Sequence, residues 1–195
     1  MKLSDATKSM KSILVLMLVV LCACGSRKQG VVDNEKIREM NEEMEEPQEL
    51  QPLEKVVRTD EEWREILEPE VYYIGRQAGT EHAFGANYKH FKKVESEVDG
   101  EGAWVCRCCG HKLFKAHTSF DSGSGWPSFY EPYDKNSVIE KVDNSHGWTR
   151  VEVLCARCES HLGHVFDGEL QFDTPTKRRF CINGGVIEHE TEAAE

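Results

Sequence analysis

Apolar and polar residues alternate along several short stretches in the second half of the chain, and this pattern predicts β-strands. Alternation with a period of two is typical of strands that bury one face. Gly, Asp, Asn and Pro separate the stretches, which favours turns between neighbouring strands. The predicted strands cover residues 138–142, 148–154, 163–166, 169–172 and 180–187.

Two short helices are predicted before these strands. Thr59 and Glu62 have the spacing of a capping box, and the acidic side chains between them favour the N-terminus of a helix. This helix is expected to end near Leu67, because Pro69 follows it, and a second helix is expected over residues 70–77. The predicted fold class is therefore mainly β, with small N-terminal helices.

The N-terminus has the features of an export signal. Three lysines precede an apolar run over residues 13–21, which is too short to span a bilayer. The run ends in LCACG, which resembles the lipobox of bacterial lipoproteins, so cleavage before Cys24 would leave that residue lipidated. An ordinary signal peptide with an incidental cysteine is the alternative, and the chain could start at Met1 or Met10.

The composition divides the chain into four predicted segments. Eight acidic and two basic residues between positions 33 and 49 leave too little apolar surface for a core. The segments are a lipoprotein signal peptide (1–23), a flexible acidic tether (24–55), a folded domain (56–188) and a disordered tail (189–195). With a lipidated Cys24, this order predicts a protein of the bacterial cell envelope, anchored to a membrane and facing the periplasm or the exterior.

The charge balance argues against nucleic acid as a partner. The chain has 24 Lys and Arg against 35 Asp and Glu, which gives a formal net charge of −11. A protein that binds nucleic acid needs a basic face to neutralise phosphates. We therefore expect the paired cysteines of the chain to stabilise the fold through a metal ion rather than to bind DNA or RNA.

Four of the eight cysteines form two C-x2-C pairs, and Cys108 lies inside the first pair. Four thiolates are the ligand set of a tetrahedral structural zinc site. Two disulfides, or one disulfide and free thiols, are the alternative, because the predicted export permits oxidation. The predicted zinc ligands are Cys106, Cys109, Cys155 and Cys158.

Cys181 stands apart from the pairs and directly follows three cations at positions 177–179. Positive charge favours the thiolate, which is the reactive form of cysteine. On a strand, Arg179 and Asn183 would lie on the same face as Cys181. Cys181 is therefore a candidate nucleophile, and a buried structural cysteine beside a solvated basic run is the alternative.

Two further stretches carry candidate chemistry. The loop 119–129 contains glycines on either side of Ser124 and presents Trp126, as a pocket wall or as a core residue. After the second cysteine pair come His161 and His164, which are candidate proton donors if four thiolates already fill the metal site. Asp167 could orient one of the two rings.

Four ordered motifs, CRCCGHKLF, SFDSGSGWPSFYEP, VLCARCESHLGHVFDG and RRFCING, resemble the B-type methionine sulfoxide reductases, which act on the R epimer. The similarity covers residues 56–187. It implies two antiparallel sheets, one structural zinc ion on the four paired cysteines, and Cys181 as nucleophile. The site residues implied by the resemblance are Trp126 and Phe129 for substrate binding, with His161, His164, Asn183, Arg179 and Asp167 assisting catalysis.

The implied reaction is attack of the Cys181 thiolate on the sulfoxide sulfur, which releases methionine and leaves a sulfenic acid. Many family members carry a resolving cysteine at the position of Ser124, and serine cannot form that disulfide. We therefore expect a thioredoxin-like or other external thiol as reductant, with Cys108 as a second possibility. The expected substrates are oxidised proteins or peptides, and the expected state is a monomer.

Two other functional classes fit the sequence less well. A thiol–disulfide oxidoreductase would use one C-x2-C pair as its redox centre, but neither pair lies in a βαβ pattern. A zinc-ribbon interaction module would need neither the cationic stretch before Cys181 nor the two histidines.

Overall fold

The computed structural model describes residues 53–191, and within this range the chain forms three α-helices and eight β-strands. The helices are α1 (Asp60–Ile66), α2 (Pro69–Gln77) and α3 (Ala86–Val98). The strands are β1 (Ala103–Cys106), β2 (Lys112–Lys115), β3 (Ser128–Phe129), β4 (Val138–Asp143), β5 (Arg150–Cys155), β6 (His161–Asp167), β7 (Arg178–Ile182) and β8 (Ile187–Glu190). The predicted signal peptide, Cys24 and most of the predicted tether lie outside the described residues.

The strands form two antiparallel sheets, which confirms the predicted fold class. One sheet has three strands in the order β2-β1-β8, and the other has five in the order β3-β7-β6-β5-β4. Every described strand pairing is antiparallel. Within residues 53–191, no helix combines the length and the apolar character needed to cross a membrane.

The first two helices lie where the sequence predicts them. The Thr59 side chain accepts a hydrogen bond from the Glu62 amide. The Glu62 carboxylate accepts one from the Thr59 amide, which completes the capping box at the start of α1. Pro69 opens α2 at a position where its missing N–H costs nothing. The longer helix α3 escapes the sequence analysis because Gly85 gives it no side-chain cap and only Phe91 is fully buried.

Two strand predictions are corrected by the structure. Residues 169–172 form no strand; they belong to a turn in which the Glu169 amide donates to the Lys177 carbonyl, and Leu170 is exposed. The predicted strand 180–187 is two strands, because a 3-10 turn over Gly184–Val186 separates β7 from β8 and moves the chain to the other sheet. Alternation alone does not reveal such a transfer between sheets.

The boundaries of the folded domain lie slightly outside the predicted ones. Lys55, placed in the tether by the sequence, donates a hydrogen bond to the Ala156 carbonyl at 2.6 Å. The predicted disordered tail starts too early, because β8 continues to Glu190 against β1 and the ring of His189 packs edge-on against Trp104. Residues 192–195 of the predicted tail lie outside the described residues.

Aromatic side chains from both sheets and from α3 fill the core. The rings of Phe114 and Phe129 stack with centroids 4.3 Å apart, and those of Phe91 and Trp104 are 4.5 Å apart. Phe180 on β7 is fully buried and contacts Phe114. Each such ring stabilises the fold by about 2–3 kcal/mol through burial. This core fixes β7 and therefore the position of the neighbouring Cys181.

Candidate active site and metal centre

The four paired cysteines form one compact cluster. Their ligand atoms all lie within 4.8 Å of one another, with sulfur–sulfur distances of 3.8 Å for Cys106–Cys158 and 3.6 Å for Cys109–Cys155. A tetrahedral zinc ion with bonds of about 2.3 Å would separate its sulfur ligands by about 3.8 Å. The cysteines are free thiols rather than disulfides, so the donor set fits the predicted structural zinc and the disulfide alternative is wrong.

Two tight turns present these four sulfurs. The first follows β1, where Gly110 adopts a φ of 72° and its amide donates to the Cys106 carbonyl at 2.7 Å. The second follows β5, where Glu159 adopts a φ of 59° and its amide donates to the Cys155 carbonyl at 2.9 Å. Because β1 and β5 belong to different sheets, a metal ion held by both turns would join the two sheets.

Cys108 lies on the α2 side of the first turn and not in the cleft described below. Its side chain is buried, and a Cβ added to Gly75 of α2 would lie 3.0 Å from the Cys108 sulfur. The wall of the cleft contains no atom of Cys108. The packing around Cys108 therefore gives no support to its assignment as the internal resolving thiol.

Cys181 is half-buried on β7, between the fully buried side chains of Phe180 and Ile182. Burial raises the pKa of the Cys181 thiol, while the positive charge of Arg179 acts in the opposite direction. The three cations before Cys181 therefore do not lower the pKa of its thiol below the ordinary value, as the sequence suggests they would.

Arg179 is the cation of those three whose charge opposes the raised pKa of Cys181. Its guanidinium lies over the ring of Phe166 at 4.4 Å and donates to Glu169 at 3.2 Å. Arg178 alternates to the opposite face of the strand, where it pairs with Glu140 and Asp167. The ring of Phe166 on β6 and the carboxylate of Glu169 in the turn after β6 thus orient Arg179 near the sulfur.

His164 on β6 lies directly opposite Cys181 on β7. Side chains of opposite residues in an antiparallel pair share one face of the sheet, so the imidazole and the sulfur project together. Gly163 precedes His164, and a Cβ there would lie 2.1 Å from the Cys181 carbonyl oxygen. This close approach of the two backbones requires glycine.

Each of the two histidines is held by a carboxylate. His164 Nε2 lies 2.9 Å from Asp143 Oδ2, and His161 Nδ1 lies 2.7 Å from Glu152 Oε1. The two rings meet edge to face with centroids 5.6 Å apart. Hydrogen bonds from Ser145, and then from His164, hold the pKa of Asp143 well below its usual range.

The two histidines differ in their surroundings. Burial lowers the pKa of His161, and the hydrogen bond that its ring donates to the Glu152 carboxylate only partly offsets this. His161 is 5% exposed and does not line the cleft, whereas His164 does. His164 is therefore the imidazole in a position to reach a substrate, and His161 supports it from behind.

Asp167 does not orient either imidazole, so this prediction is wrong. Its carboxylate accepts a hydrogen bond from Arg178 Nε at 2.6 Å and is largely exposed. The period of two along β6 explains the result, because Asp167 lies an odd number of residues from His164 and projects to the other face. The orienting carboxylates belong to β4 and β5 instead, as Asp143 and Glu152.

Cys181 opens into a cleft of about 140 Å³. Trp126 forms one wall, and its indole Nε1 donates to the Glu81 carbonyl at 3.3 Å. Phe129, predicted to bind substrate, instead lies fully buried in the core, because Ser128 and Phe129 point to opposite faces of β3. The cleft is lined by Thr80, Trp126, Arg150, Gly163, His164, Phe166, Cys181 and Asn183.

Glu81 is a site residue that the sequence analysis misses. Its carboxylate accepts hydrogen bonds from the amides of Gly184 at 2.7 Å and Gly185 at 2.9 Å. Its own amide donates to Asn183 Oδ1 at 3.1 Å, while the Asn183 Nδ2 group donates to the Leu162 carbonyl. Asn183 is therefore buried and fixed at the edge of the cleft rather than free to move.

Ser124 lies on the loop that presents Trp126, close to the sulfur of Cys181. Its Oγ lies 4.0 Å from Cys181 Sγ, so a cysteine at this position would be close enough to form a disulfide after small adjustments. The chain has a hydroxyl there, and no other thiol lines the cleft within the described residues.

The geometry brings a soft nucleophile, an acid and an aromatic wall to one cleft. Cys181 can attack an electrophilic atom, His164 can supply a proton, and Trp126 can contact an apolar group of the substrate. Asp143, Glu152 and Arg150 complete the site, but they lie on the strand pair β4–β5, where the sequence shows only ordinary alternation.

Comparison with known proteins gives consistent matches. Residues 67–191 match the family described as the SelR domain. The chain is 44% identical over 135 residues to the peptide methionine sulfoxide reductase MsrB of Hahella chejuensis, covering 69% of this chain and 90% of that protein. It is 43% identical over 138 residues to MsrB of Acinetobacter baylyi (71% and 92% covered) and 45% over 137 residues to MsrB of Pseudomonas putida (70% and 96% covered).

Proposed function

The chain belongs to the SelR family of B-type methionine sulfoxide reductases, and on that premise we propose that Cys181 is the nucleophile of the reaction. The enzyme is a peptide-methionine (R)-S-oxide reductase, which returns oxidised methionine to methionine. One observation supports the assignment of Cys181 above all others: its sulfur shares a cleft with the imidazole of His164 and the indole of Trp126.

In the proposed first step, the Cys181 thiolate attacks the sulfoxide sulfur and the sulfoxide oxygen takes up a proton. A bond forms between the two sulfur atoms; this bond and the sulfur–oxygen bond of the substrate then break as the protonated oxygen moves to the sulfur of Cys181. The products are methionine and a Cys181 sulfenic acid, so the substrate sulfur is reduced by two electrons and the cysteine sulfur is oxidised by two. The oxygen cannot leave as oxide, which is why an acid is needed.

We assign the role of acid to His164. Its ring lines the cleft opposite Cys181, and Asp143 accepts a hydrogen bond from its Nε2 when that nitrogen carries a proton. The Asp143 carboxylate holds the imidazole in one orientation at the edge of the cleft, where the step requires a proton donor. His161 packs against His164 and keeps its ring in place.

Trp126 is the proposed contact for the methyl group of the substrate. Its indole is fixed by the hydrogen bond to the Glu81 carbonyl, so its face is presented to the cleft without freedom to turn. Phe166 adds a second aromatic side chain to the lining. A methyl group against aromatic rings, with the sulfoxide oxygen toward His164, would leave the sulfur facing Cys181.

The sulfenic acid requires two thiols for its reduction. The first forms a mixed disulfide with Cys181 and releases water, and the second displaces Cys181 as thiolate. Ser124 supplies no thiol for this purpose, and Cys108 is buried against α2 and does not line the cleft. We therefore propose an external reductant, such as a thioredoxin-like dithiol protein.

Peptide mapping after a single turnover tests the external reductant. One equivalent of substrate without reductant should release one methionine and leave a sulfenic acid on Cys181 that a specific reagent can trap. Ser124→Cys should instead give an internal disulfide with Cys181, since the two side chains are adjacent. A Cys108–Cys181 disulfide in good yield from the unaltered chain would refute the proposal.

The metal centre is proposed to serve the fold rather than the reaction. Cys106, Cys109, Cys155 and Cys158 would hold the zinc ion, and a zinc ion bound there links the two tight turns. All four donors are protein thiolates, so the site is closed to substrate.

The proposed setting of the enzyme is the bacterial cell envelope. The lipobox-like sequence before Cys24 supports lipid attachment, and the acidic segment after it supports a tether between the membrane and a monomeric domain. Cys24→Ala should leave an unprocessed precursor without lipid. A mature native protein that is water-soluble and cleaved at another position would contradict this assignment.

Turnover of the two separate epimers is the most direct test of the reaction. With a small dithiol as reductant, the R sulfoxide of a peptide should be consumed and the S sulfoxide should not. Comparison of a methionine sulfoxide peptide with the free amino acid then identifies the preferred substrate. Turnover of the S epimer at a similar rate would contradict the proposed site geometry.

A further inference from the structure

We propose that Ser124 is a catalytic residue whose hydroxyl donates a hydrogen bond to the sulfur of Cys181, and that Ser122 and Ser128 are positioning residues that orient this hydroxyl. The proposal rests on the proposed role of Cys181 as nucleophile. Under this proposal the Ser124 hydroxyl stabilises the Cys181 thiolate in the first chemical step, so Ser124 does more than replace a resolving cysteine.

The three serine hydroxyls form a continuous chain that ends at the nucleophile. Ser122 Oγ donates to Ser124 Oγ at 2.8 Å, and Ser124 Oγ lies 4.0 Å from Cys181 Sγ. At the other end, Ser122 Oγ and Ser128 Oγ are also 2.8 Å apart. Ser128 is almost fully buried and is paired with Cys181 across β3 and β7, so the chain starts inside the protein.

The hydrogen bonds around Ser124 determine the direction of its own proton. A serine hydroxyl has two acceptor sites and one proton. Both acceptor sites of Ser124 are used, by the Ser122 hydroxyl and by the Trp126 amide at 3.4 Å. The proton of Ser124 therefore remains available for Cys181 Sγ, which lies 4.0 Å from the hydroxyl oxygen.

The donor and acceptor sites of Ser122, one residue further from the sulfur along this chain of hydroxyls, are assigned in the same way. The proton of Ser122 is committed to Ser124, so its oxygen acts as an acceptor toward Ser128 Oγ and toward the Ser124 amide at 3.4 Å. Ser128 then donates to Ser122, with the Trp126 carbonyl as a longer alternative at 3.3 Å. Hydrogen bonds that run in one direction along such a chain reinforce one another.

The chain of hydroxyls compensates for an unfavourable setting of the nucleophile. Burial disfavours a charged sulfur, and so does the nearby carboxylate of Glu81. Arg179, on the same strand, and Ser124, on the facing loop, both lower the pKa of Cys181. His164 on β6 and Arg150 on β5 are the other titratable or charged groups that face the cleft.

The proposal predicts that loss of the Ser124 hydroxyl makes Cys181 harder to ionise. In the zinc-loaded full chain, alkylation of Cys181 by iodoacetamide is followed against pH, and its peptide is identified by mass spectrometry. For Ser124→Ala, the midpoint of the profile should move up by about one pH unit, which corresponds to alkylation about tenfold slower on the acidic side. The same variant should reduce R sulfoxide with a pH profile moved in the same direction.

Two further variants separate the proposed role from a general effect on the fold. Ser122→Ala keeps the hydroxyl of Ser124 but removes the group that orients it, so the shift should have the same sign and be smaller. Ser96→Ala, at an exposed serine on α3, is the matched control and should leave the profile unchanged. Zinc content and the circular dichroism spectrum report whether each variant is folded.

An alkylation profile of folded Ser124→Ala that coincides with that of the unaltered chain would overturn the proposal. If Ser124→Ala fails to fold, an unchanged profile for Ser122→Ala would overturn it equally. Failure of the proposed function is recognised separately, since Cys181→Ser would then still turn over sulfoxide. An inactive Cys181→Ser variant together with an unchanged Ser124→Ala profile removes only the role of Ser124.

Discussion

The metal centre and the catalytic cleft both depend on cysteine sulfur, but they surround it in opposite ways. At the metal centre, four thiols converge within 4.8 Å and enclose the space between them. In the cleft, Cys181 is the one cysteine among residues 53–191 that contributes to the lining, and its neighbours are an imidazole, an aromatic ring and a hydroxyl. A thiol among thiols binds metal, whereas a thiol beside an acid and an apolar wall can attack a substrate.

The two regions also differ in how they are connected to the fold. The metal turns follow β1 and β5, so a metal ion held between them would join the two sheets, and none of its four ligands lines the cleft. The cleft is built on one sheet, with Cys181 on β7 and His164 on β6 directly opposite each other. Changes at the metal centre should therefore act mainly on stability, and changes in the cleft should act mainly on rate.

The largest expected effect is on the rate, in Cys181→Ser. Removal of the nucleophile should lower the turnover of R sulfoxide by at least about a thousandfold, because no other group in the cleft can replace the sulfur. Zinc content and melting temperature should stay close to those of the unaltered chain. Substantial turnover by this variant would show that the nucleophile lies elsewhere.

The next effect is on stability, in Cys155→Ser at the metal centre. Loss of one thiolate should release zinc and, because metal binding and folding are coupled, lower the free energy of unfolding by several kcal/mol. A change of this size is a large part of the stability of a typical domain, which is on the order of 5–15 kcal/mol. Metal analysis and thermal unfolding measure the two results. Cys108→Ser, at the cysteine outside the ligand set, is the matched control and should retain zinc. A Cys155→Ser variant that keeps its zinc would contradict the assignment.

A smaller loss of rate is expected for His164→Gln. The variant lacks the proposed acid, and its turnover should fall by about a hundredfold or more, with methionine formation measured in single turnover. The ratio of the rate of the unaltered chain to that of the variant should become smaller at low pH, where solvent can supply the proton. A variant with unchanged single-turnover rate would remove His164 from the mechanism.

Two carboxylates provide a matched test of how the imidazole is held. Asp143→Asn should lower turnover by about tenfold, because Asp143 partners His164 at 2.9 Å. Asp167→Asn should change turnover by less than about twofold, because Asp167 pairs with Arg178 on the other face of the sheet. The reverse order of effects would restore Asp167 to the role that the sequence suggested.

The smallest expected effect is on the pH dependence of stability, through His161. Its pKa is lowered by burial in the folded protein, so just below the ordinary value of about 6.5 the unfolded chain binds more protons. The free energy of unfolding should therefore fall as pH drops through this window, by less than about 1.4 kcal/mol per pH unit. His161→Gln should flatten the dependence, whereas His90→Gln, at an exposed histidine of α3, should not.

The chemistry of both regions could be predicted from local spacing, because the key residues come in short motifs. The two C-x2-C pairs, the histidines after the second pair and the isolated Cys181 were all visible in the sequence. Their partners were not visible in this way. Asp143 is 21 positions from His164, and Glu81 is more than 100 from Gly184, so only the folded chain brings them together.

The errors in the predicted fold also have a physical reason. Phe129 follows Ser128 on a strand of two residues, and a strand so short gives no pattern that tells the inner from the outer face. Residues 169–172 alternate like a strand, but within the described residues they have no neighbouring strand to pair with, and the chain turns instead. Pairing partners, which decide both cases, are not encoded in local alternation.

The hydrogen bonds of Glu81 have a consequence for how the enzyme meets its substrate. Through its carbonyl, amide and carboxylate, this one residue connects Trp126 on one wall of the cleft with Asn183 on another and with the backbone of Gly184, the next residue. Both walls are therefore preorganised before any sulfoxide arrives, and binding need not draw them together at an entropic cost. Backbone amides at Gly184 and Gly185 should accordingly exchange slowly with deuterium in the free enzyme, and saturation with substrate should slow them little further.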